Sequence, residues 1–416
     1  MARRNLIIVG GALVLIVLIS LILAITHAHN SAGPTPTATC TPTGTPLPTI
    51  VPATPRRTNT VATTPPCTPT PTGSPTAIVR RTPKPRPTAP RPTPAPTATP
   101  HPAYVPGPLT GETVSWDVAH RRPMAVIVEN YSPDARPQTG LSSASLVFET
   151  DAEYGITRFM AVYLENIPPV VGPVRSARVY FDSWADGLHA VYVHAGGNDD
   201  ALAQLFKMHN VADVNEVKWE DQNYNPTVPF FKRSPDRVIP HNMYTFPPLV
   251  ETYEKTQKQP LTGDFPDSFP HKAPSSPEDR PSGAVLDINF SSPDYAVEYR
   301  YNHATNRWLR FMGGTPHLEA STGHQLAPTN VVVLAATIKP DPAGVTAGSV
   351  YVQTTGTNTA YYFIDGKESK GTWTKWHDTS RLMLLDAHGH AVKLDPGQTW
   401  IDVLPTGGTM SFTPGK

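Results

Sequence analysis

Apolar positions fall along this chain in four regimes, each predicting a different kind of structure. Residues 6–25 form an uncharged apolar run of 20 residues behind Arg3 and Arg4. At about 1.5 Å of rise per helical residue that run spans about 30 Å, the depth of a bilayer core. Residues 26–108 have no apolar period: 23 of the 49 prolines lie between positions 31 and 108, interleaved with threonine. Such a composition cannot bury a core and predicts an extended, disordered stalk. Residues 109–257 mix periods. The runs 124–130, 146–153, 157–165 and 190–194 read as strands, the middle two as a hairpin around Tyr154-Gly155-Ile156. Helices are expected over 174–187, 199–209 and 248–256, the first opened by Gly172-Pro173 and closed by Gly187. Residues 283–405 read almost entirely as strands, with hairpin turns at Asp365-Gly366 and His388-Gly389. A proline-rich linker, 258–282, separates the two folded parts, 1–5 is a cytoplasmic tip and 406–416 a tail. The fold class expected is α+β: a mixed α/β N-terminal domain and a mostly antiparallel β C-terminal domain, behind a transmembrane anchor and a disordered Pro/Thr-rich stalk.

Charge adds an orientation. The formal net charge is zero, yet residues 1–111 hold nine Lys/Arg and no Asp or Glu, leaving 25 basic against 34 acidic residues for the remainder. A folded part this acidic argues against nucleic acid as partner. No basic residue follows Arg4 until Arg56, so the positive-inside rule places the N-terminus in the cytoplasm and everything after the apolar run outside, with the membrane bound through residues 6–25. Cleavage as a signal peptide at Thr26-His27-Ala28 is the competing reading of the same run. Both cysteines, Cys40 and Cys67, fall in the stalk, which removes a disulfide framework and a Cys-based metal site from the folded part and leaves their own pairing open.

Candidate chemistry gathers between positions 149 and 242. Arg175 and Arg178 stand three apart, on one face of the opening turns of the expected helix, where cations need an answering anion. That anion is either a bound phosphate or carboxylate, or a carboxylate of the protein. Glu149, Asp151 and Glu153 are spaced by two, so a strand puts all three on one face, with Arg158 nearly opposite Glu153 across the hairpin. Such a row suits a buried ion network, acid–base work or a divalent metal. His194 ends an apolar strand before Ala195-Gly196-Gly197, the position at which open α/β sheets gather ligands. His241 and Asn242 lie in a long irregular segment, 220–248, of the kind that carries function. His388 and His390 read as exposed turn residues, and Trp308, Trp373, Trp376 and Trp400 as core. No Gly-x-Ser-x-Gly, Ser-x-x-Lys, His-Glu-x-x-His, Gly-x-Gly-x-x-Gly or P-loop occurs, and no cofactor is expected. The ligand-binding candidates are Arg158, Arg175, Ser176, Arg178, His194, Gly196, Gly197, His241 and Asn242. The catalytic candidates are Glu149, Asp151, Glu153 and His194, with no role assigned, and no metal ligand is named.

The blocks RPMAVIVEN, ARPQTGLSSASLVFETDAEYGITRFMAVYL, GPVRSARVYF with VYVHAGG, and PHNMY, followed by NVVVLAA, GKESKGTWTKW and DPGQTWIDVLP, resemble in their order the YerB-like family of bacterial cell-envelope proteins. The resemblance covers residues 109–405. It implies two domains outside the cytoplasm, often lipidated and linked to cell-wall synthesis, and it brings no biochemical activity. No cysteine follows the apolar run closely enough for lipid attachment, so a transmembrane anchor would stand in for the lipid. The resulting expectation is a membrane-anchored extracytoplasmic binding or scaffold protein that recognises an anionic wall component such as peptidoglycan, or a partner in cell-wall synthesis. The alternatives are an enzyme acting on envelope glycan or peptide through the carboxylate row and His194, and a spacer whose arginines are purely structural.

Overall fold

The computed structural model describes residues 101–217, 230–263, 265, 269–342 and 347–416. The apolar run 6–25, the stalk as far as residue 100 and both cysteines lie outside the described residues, among which no helix is long and apolar enough to cross a membrane.

The N-terminal half contains β1 (Tyr104–Pro106), β2 (Thr113–Ser115), the short α1 (Trp116–Ala119), β3 (Met124–Glu129), β4 (Leu146–Glu153), β5 (Ile156–Tyr163), α2 (Val179–Gly187), β6 (Val191–His194), α3 (Asp199–Leu205), β7 (Ala212–Asn215), β8 (Phe231–Arg233), β9 (Met243–Thr245) and α4 (Pro247–Thr256). The C-terminal half contains β10 (Val285–Asn289), β11 (Ala296–Asn302), β12 (Arg307–Met312), β13 (Thr315–Pro316), β14 (Asn330–Ala336), β15 (Ile338–Pro340), β16 (Val350–Val352), β17 (Gly356–Ile364), β18 (Lys367–Lys375), β19 (Met383–Asp386), β20 (Thr399–Pro405) and β21 (Thr409–Thr413).

Ten of these strands form one sheet in the order β19-β18-β17-β14-β20-β4-β5-β3-β6-β7. The two sequence halves therefore share a sheet. They join where β20 runs parallel to β4, Thr399 opposite Leu146 and Asp402 opposite Glu149. Strands β3, β6 and β7 are mutually parallel. All six residues of β3 are buried, which is why its sequence is apolar without alternation from Met124 to Val128, as far as the closing Glu129. One face of the sheet takes helices α2 and α3, with Phe181, Trp184, Ala201 and Leu205 against Ala125, Ile127, Phe148 and Tyr192. The other takes an antiparallel five-stranded sheet, β13-β12-β11-β10-β21, with Val297, Tyr299 and Trp308 in one cluster with Val147, Phe159, Val331 and Trp400.

Several expectations need correction. The helix expected from residue 174 begins at Val179, with Arg178 extended as its N-cap. The preceding segment cannot be helical because other strands take its backbone donors: Val174 N–H bonds Met243 O (2.6 Å), Arg175 N–H bonds Ile127 O (2.9 Å) and Ala177 N–H bonds Gly196 O (2.9 Å). Gly172 is required there, since a Cβ would stand 2.6 Å from the Tyr244 ring. Helix α3 ends at Leu205, short of 209. Within 258–282, His271 bridges Leu394 and Lys272 pairs with Asp365 and Asp395, each at 2.6 Å, so this stretch is tied to the C-terminal half. The tail 406–416 supplies β21. Trp376, one residue beyond the end of β18, is exposed, whereas Trp308, Trp373 and Trp400 are buried. The Asp365-Gly366 turn closes the β17–β18 hairpin with both residues at positive φ, 53° and 72°.

Candidate functional site

The parallel strands β3, β6 and β7 end at Glu129, His194 and Asn215, with His194 beside Asn215 and β3 running three residues past its last pair with β6, Val126–Val193. The extended segment around Arg175 crosses these carboxyl ends: Arg175 N–H bonds Ile127 O near the end of β3, and Ala195 N–H just past β6 bonds Arg175 O (3.0 Å). The Arg175 side chain lies over the end of β3, with Nε 3.1 Å from Glu129 Oε1. His241 Nδ1 donates to the same oxygen at 3.0 Å, and its ring stacks on Tyr131 with centroids 4.7 Å apart. The other oxygen, Glu129 Oε2, is buried and has no hydrogen-bond partner. Arg175 is 30% exposed, and its two terminal nitrogens have no partner among the described residues. Burial lowers the pKa of Arg175, Glu129 opposes that, and the charges of Arg158 and Arg233 lower it further. Arg233 is held by Asn242 Oδ1 (Nη1, 3.1 Å) and lies 3.7 Å from Glu216.

Arg158 and Arg178 are in a different situation. Both pair with Glu153, Arg158 Nη2 at 2.9 Å and Arg178 Nη2 in closer contact, and both are nearly buried. Their second terminal nitrogens donate to Ser176 O (3.0 Å) and Ala177 O (2.6 Å). They form an ion network in which all four terminal nitrogens are engaged, while the buried Nε of each arginine has no hydrogen-bond partner. The carboxylate row does not lie on one face. The β4–β5 register shifts between Asp151 and Glu153, so Glu153 comes opposite Ile156 and joins the side of the sheet that carries Arg158. Glu149, opposite Phe159, points the other way, accepts from Thr157 Oγ1 at 2.6 Å and pairs with Arg310, neither side chain being exposed. Asp151 lies between them, its carboxyl pushed up to about 6 by burial and by Glu149.

His194 is fully buried with both ring nitrogens engaged, Nδ1 with Gly196 O (2.7 Å) and Nε2 with Asp213 Oδ1 (2.8 Å). A carbonyl can only accept, so Nδ1 carries a proton. Ser176 Oγ donates to Ala195 O (2.9 Å) and Gly196 N–H to Asn215 Oδ1 (2.9 Å), so Ser176 and Gly196 fix the loop after β6, while the backbone of Gly197 bridges Ala177. Asn242 secures its own loop by donating to Ser234 O and Arg237 O at 3.0 and 3.2 Å. The structure thus brings Arg175 and His241 together on Glu129, with Asn242 nearby through Arg233, and sets Glu149 apart from them. Among the described residues no group of three or more His, Cys, Asp or Glu side chains is placed to hold a metal.

Sequence reasoning missed Glu129, Arg233 and Glu216 at this site. Glu129 had a signal, being the charge that ends a continuously buried apolar strand. It also missed Arg310, which alternates with the buried Trp308 and Met312 along β12 and so had to point inward.

Two family models match the chain, both described as a protein of unknown function (DUF3048): the N-terminal domain over residues 109–260 and the C-terminal domain over residues 286–401. YerB of Bacillus subtilis (strain 168), provisionally named a lipoprotein, is 28% identical over 313 residues, which is 74% of this chain and 89% of the relative. The crystal structure of the YerB protein from Bacillus subtilis superposes with a TM-score of 0.64 at 26% identity, covering 74% of this chain and 99% of that one.

Proposed function

Since the chain belongs to the YerB-like family of two-domain proteins, we propose that it acts outside the cytoplasm as a membrane-held binding protein whose folded part recognises an anionic group through Arg175. The lipoprotein name of its relative supports membrane association. The apolar run 6–25 behind Arg3 and Arg4 supports a single-pass anchor in place of a lipid, with the proline-rich stretch acting as a stalk. The anion is one of the cell wall, as in peptidoglycan, or of a protein partner in wall synthesis.

One observation carries this reading. Of the three arginines in the original constellation, Arg158 and Arg178 are consumed by Glu153, whereas Arg175 spends one nitrogen on Glu129 and keeps two donors unpartnered among the described residues, 30% exposed, at the carboxyl ends of parallel strands. A planar pair of guanidinium donors matches a carboxylate or phosphate in two parallel hydrogen bonds.

The test is binding of soluble muropeptides and of inorganic phosphate to the full-length chain and to Arg175→Gln. The substitution is expected to weaken binding about tenfold or more, the cost of removing a charged hydrogen-bond partner, and to leave the melting temperature nearly unchanged because the side chain is partly exposed. Equal affinity in the two proteins would remove Arg175 from the site and end the proposal.

A further inference from the structure

Glu129 is the second informative group at this site. It is 4% exposed, and both neighbours that reach it, Arg175 Nε and His241 Nδ1, approach the same oxygen, Oε1. Oε2 is left buried without a donor. Arg158, directly opposite Glu129 in the β3–β5 register, does not supply one: its terminal nitrogens go to Ser176 O and Glu153, and its Nε is itself buried and unpartnered. A buried carboxylate oxygen without a donor is costly, and here it persists beside two arginines, Arg158 and Arg175. The site therefore offers an acceptor on Glu129 and, on the arginine of the same ion pair, a guanidinium edge without a partner among the described residues.

We propose that the site takes a zwitterion, an α-amino carboxylate, whose ammonium donates to Glu129 Oε2 while its carboxylate is received by the terminal nitrogens of Arg175. This deepens the anion reading of Arg175 and rests on it. The geometry selects the class. Arg175 and the incoming ammonium share one carboxylate, so the ligand's own charges must sit as close to each other as Glu129 and Arg175 do, and an ammonium and a carboxylate on the same carbon meet that condition. Phosphate or acetate would satisfy Arg175 and leave Oε2 unpaired. A peptide with its two termini at opposite ends could reach only one of the partners. A free amino acid qualifies, as does the unlinked α-amino acid end of a diamino acid side chain. Oε2 is buried, so binding requires the groups around this carboxylate to shift. His241, held on the other oxygen, Oε1, makes one side-chain hydrogen bond among the described residues and otherwise stacks on the exposed Tyr131.

The experiment titrates the full-length chain with D-alanine, N-acetyl-D-alanine, D-alaninamide and sodium acetate, using NMR or calorimetry, and repeats the series with Glu129→Gln and Arg175→Gln. D-Alanine is expected to bind about tenfold or more tightly than the acetylated and amidated forms, each of which leaves one protein charge unanswered. Glu129→Gln is expected to erase the preference for the free ammonium. If N-acetyl-D-alanine and acetate bind as well as D-alanine, and Arg175→Gln abolishes all three, the zwitterion is overturned and the anion site stands. If none of the four binds the unmodified chain, or if Arg175→Gln changes nothing, both proposals fall. The ligand series on the unmodified chain decides the matter even if a variant does not fold.

Discussion

Glu149 of β4 and Arg310 of β12 form an ion pair in which neither side chain meets solvent, and they come from opposite halves of the sequence. The guanidinium is fully committed. Its Nη2 pairs with Glu149, its Nη1 with Tyr299 OH, and its Nε donates to His317 Nδ1 at 3.0 Å. It also lies 4.1 Å from the centre of the Trp400 ring. Because Arg310 can only donate, His317 Nδ1 accepts, and Nε2 is left to donate to Gln138 Oε1 at 2.9 Å. Burial and the Arg310 charge hold this imidazole neutral, well below its ordinary pKa.

Removing one member of a buried pair leaves an uncompensated charge, which costs about 3–5 kcal/mol. Glu149→Gln and Arg310→Met are each expected to lower the unfolding free energy by that amount in urea titrations. The double variant should lose less than the sum, with a coupling of roughly 1–3 kcal/mol. A loss below about 1 kcal/mol in either single variant would show that the pair does not join the halves as argued.

Glu153 answers two arginines, whereas Glu129 answers one that is partly exposed. Glu153→Gln should therefore strand both Arg158 and Arg178 and cost about 3–5 kcal/mol. Arg175→Gln should cost less than this, because Arg175 is 30% exposed and the buried Glu129 keeps His241 Nδ1. Melting curves of the two variants side by side check this order, and a reversed order would mean that Arg175 is a structural member of the network.

The sequence disclosed strands better than contacts, for physical reasons visible at particular residues. The runs at 124–128 and 331–336 are continuously apolar because β3 and β14 are buried on both faces of the large sheet, and that pattern needs no partner to be read. The helix start at 174 was misplaced because Gly172-Pro173 is a local signal, while the competing bonds from Val174 and Arg175 go to Met243 and Ile127, distant in sequence. Even spacing at Glu149, Asp151 and Glu153 suggested one face because a bulge leaves no mark in the spacing. The Glu129–Arg175–His241 cluster joins residues separated by 46 and 66 positions, and single-sequence periodicity holds no information about such a meeting.

Several carboxyls are shifted upward by burial: Asp402 to about 7, with Arg310 opposing and Glu149 adding, Glu254 to about 7, and Asp151 to about 6. A carboxyl whose folded pKa lies above its unfolded value near 4 contributes stability that is fully present below pH 4 and lost as pH rises through 6 and 7. Asp365, held down to about 2 by Lys272 and Ser275 despite its burial, acts in the opposite sense and loses its contribution below about pH 4. The unfolding free energy is therefore expected to be higher at pH 5 than at pH 8, by a few kcal/mol at most, and the urea midpoint higher with it. A midpoint that rises toward pH 8 would show these carboxyls to be ionised without cost in the folded state.

Strand β21 converts a terminal segment into part of the core. It pairs with β10 from Val285–Thr413 to Asn289–Thr409, and β10 pairs with β11 on its other side, so β21 covers β10 and becomes the edge strand in its place. Met410 and Phe412 pack on the core, the Phe412 ring 5.2 Å from Phe363 and 6.5 Å from Trp308. The segment is then tied down by reciprocal backbone bonds between Ser282 and Lys416, at 2.9 and 3.0 Å. Truncation after Pro405 should remove the burial of those two side chains, about 2–4 kcal/mol. It should also expose the β10 edge, a template for pairing between chains. A lower urea midpoint together with larger species on size-exclusion chromatography is the expected outcome. An unchanged midpoint with a monodisperse profile would return residues 406–416 to a tail outside the folded part.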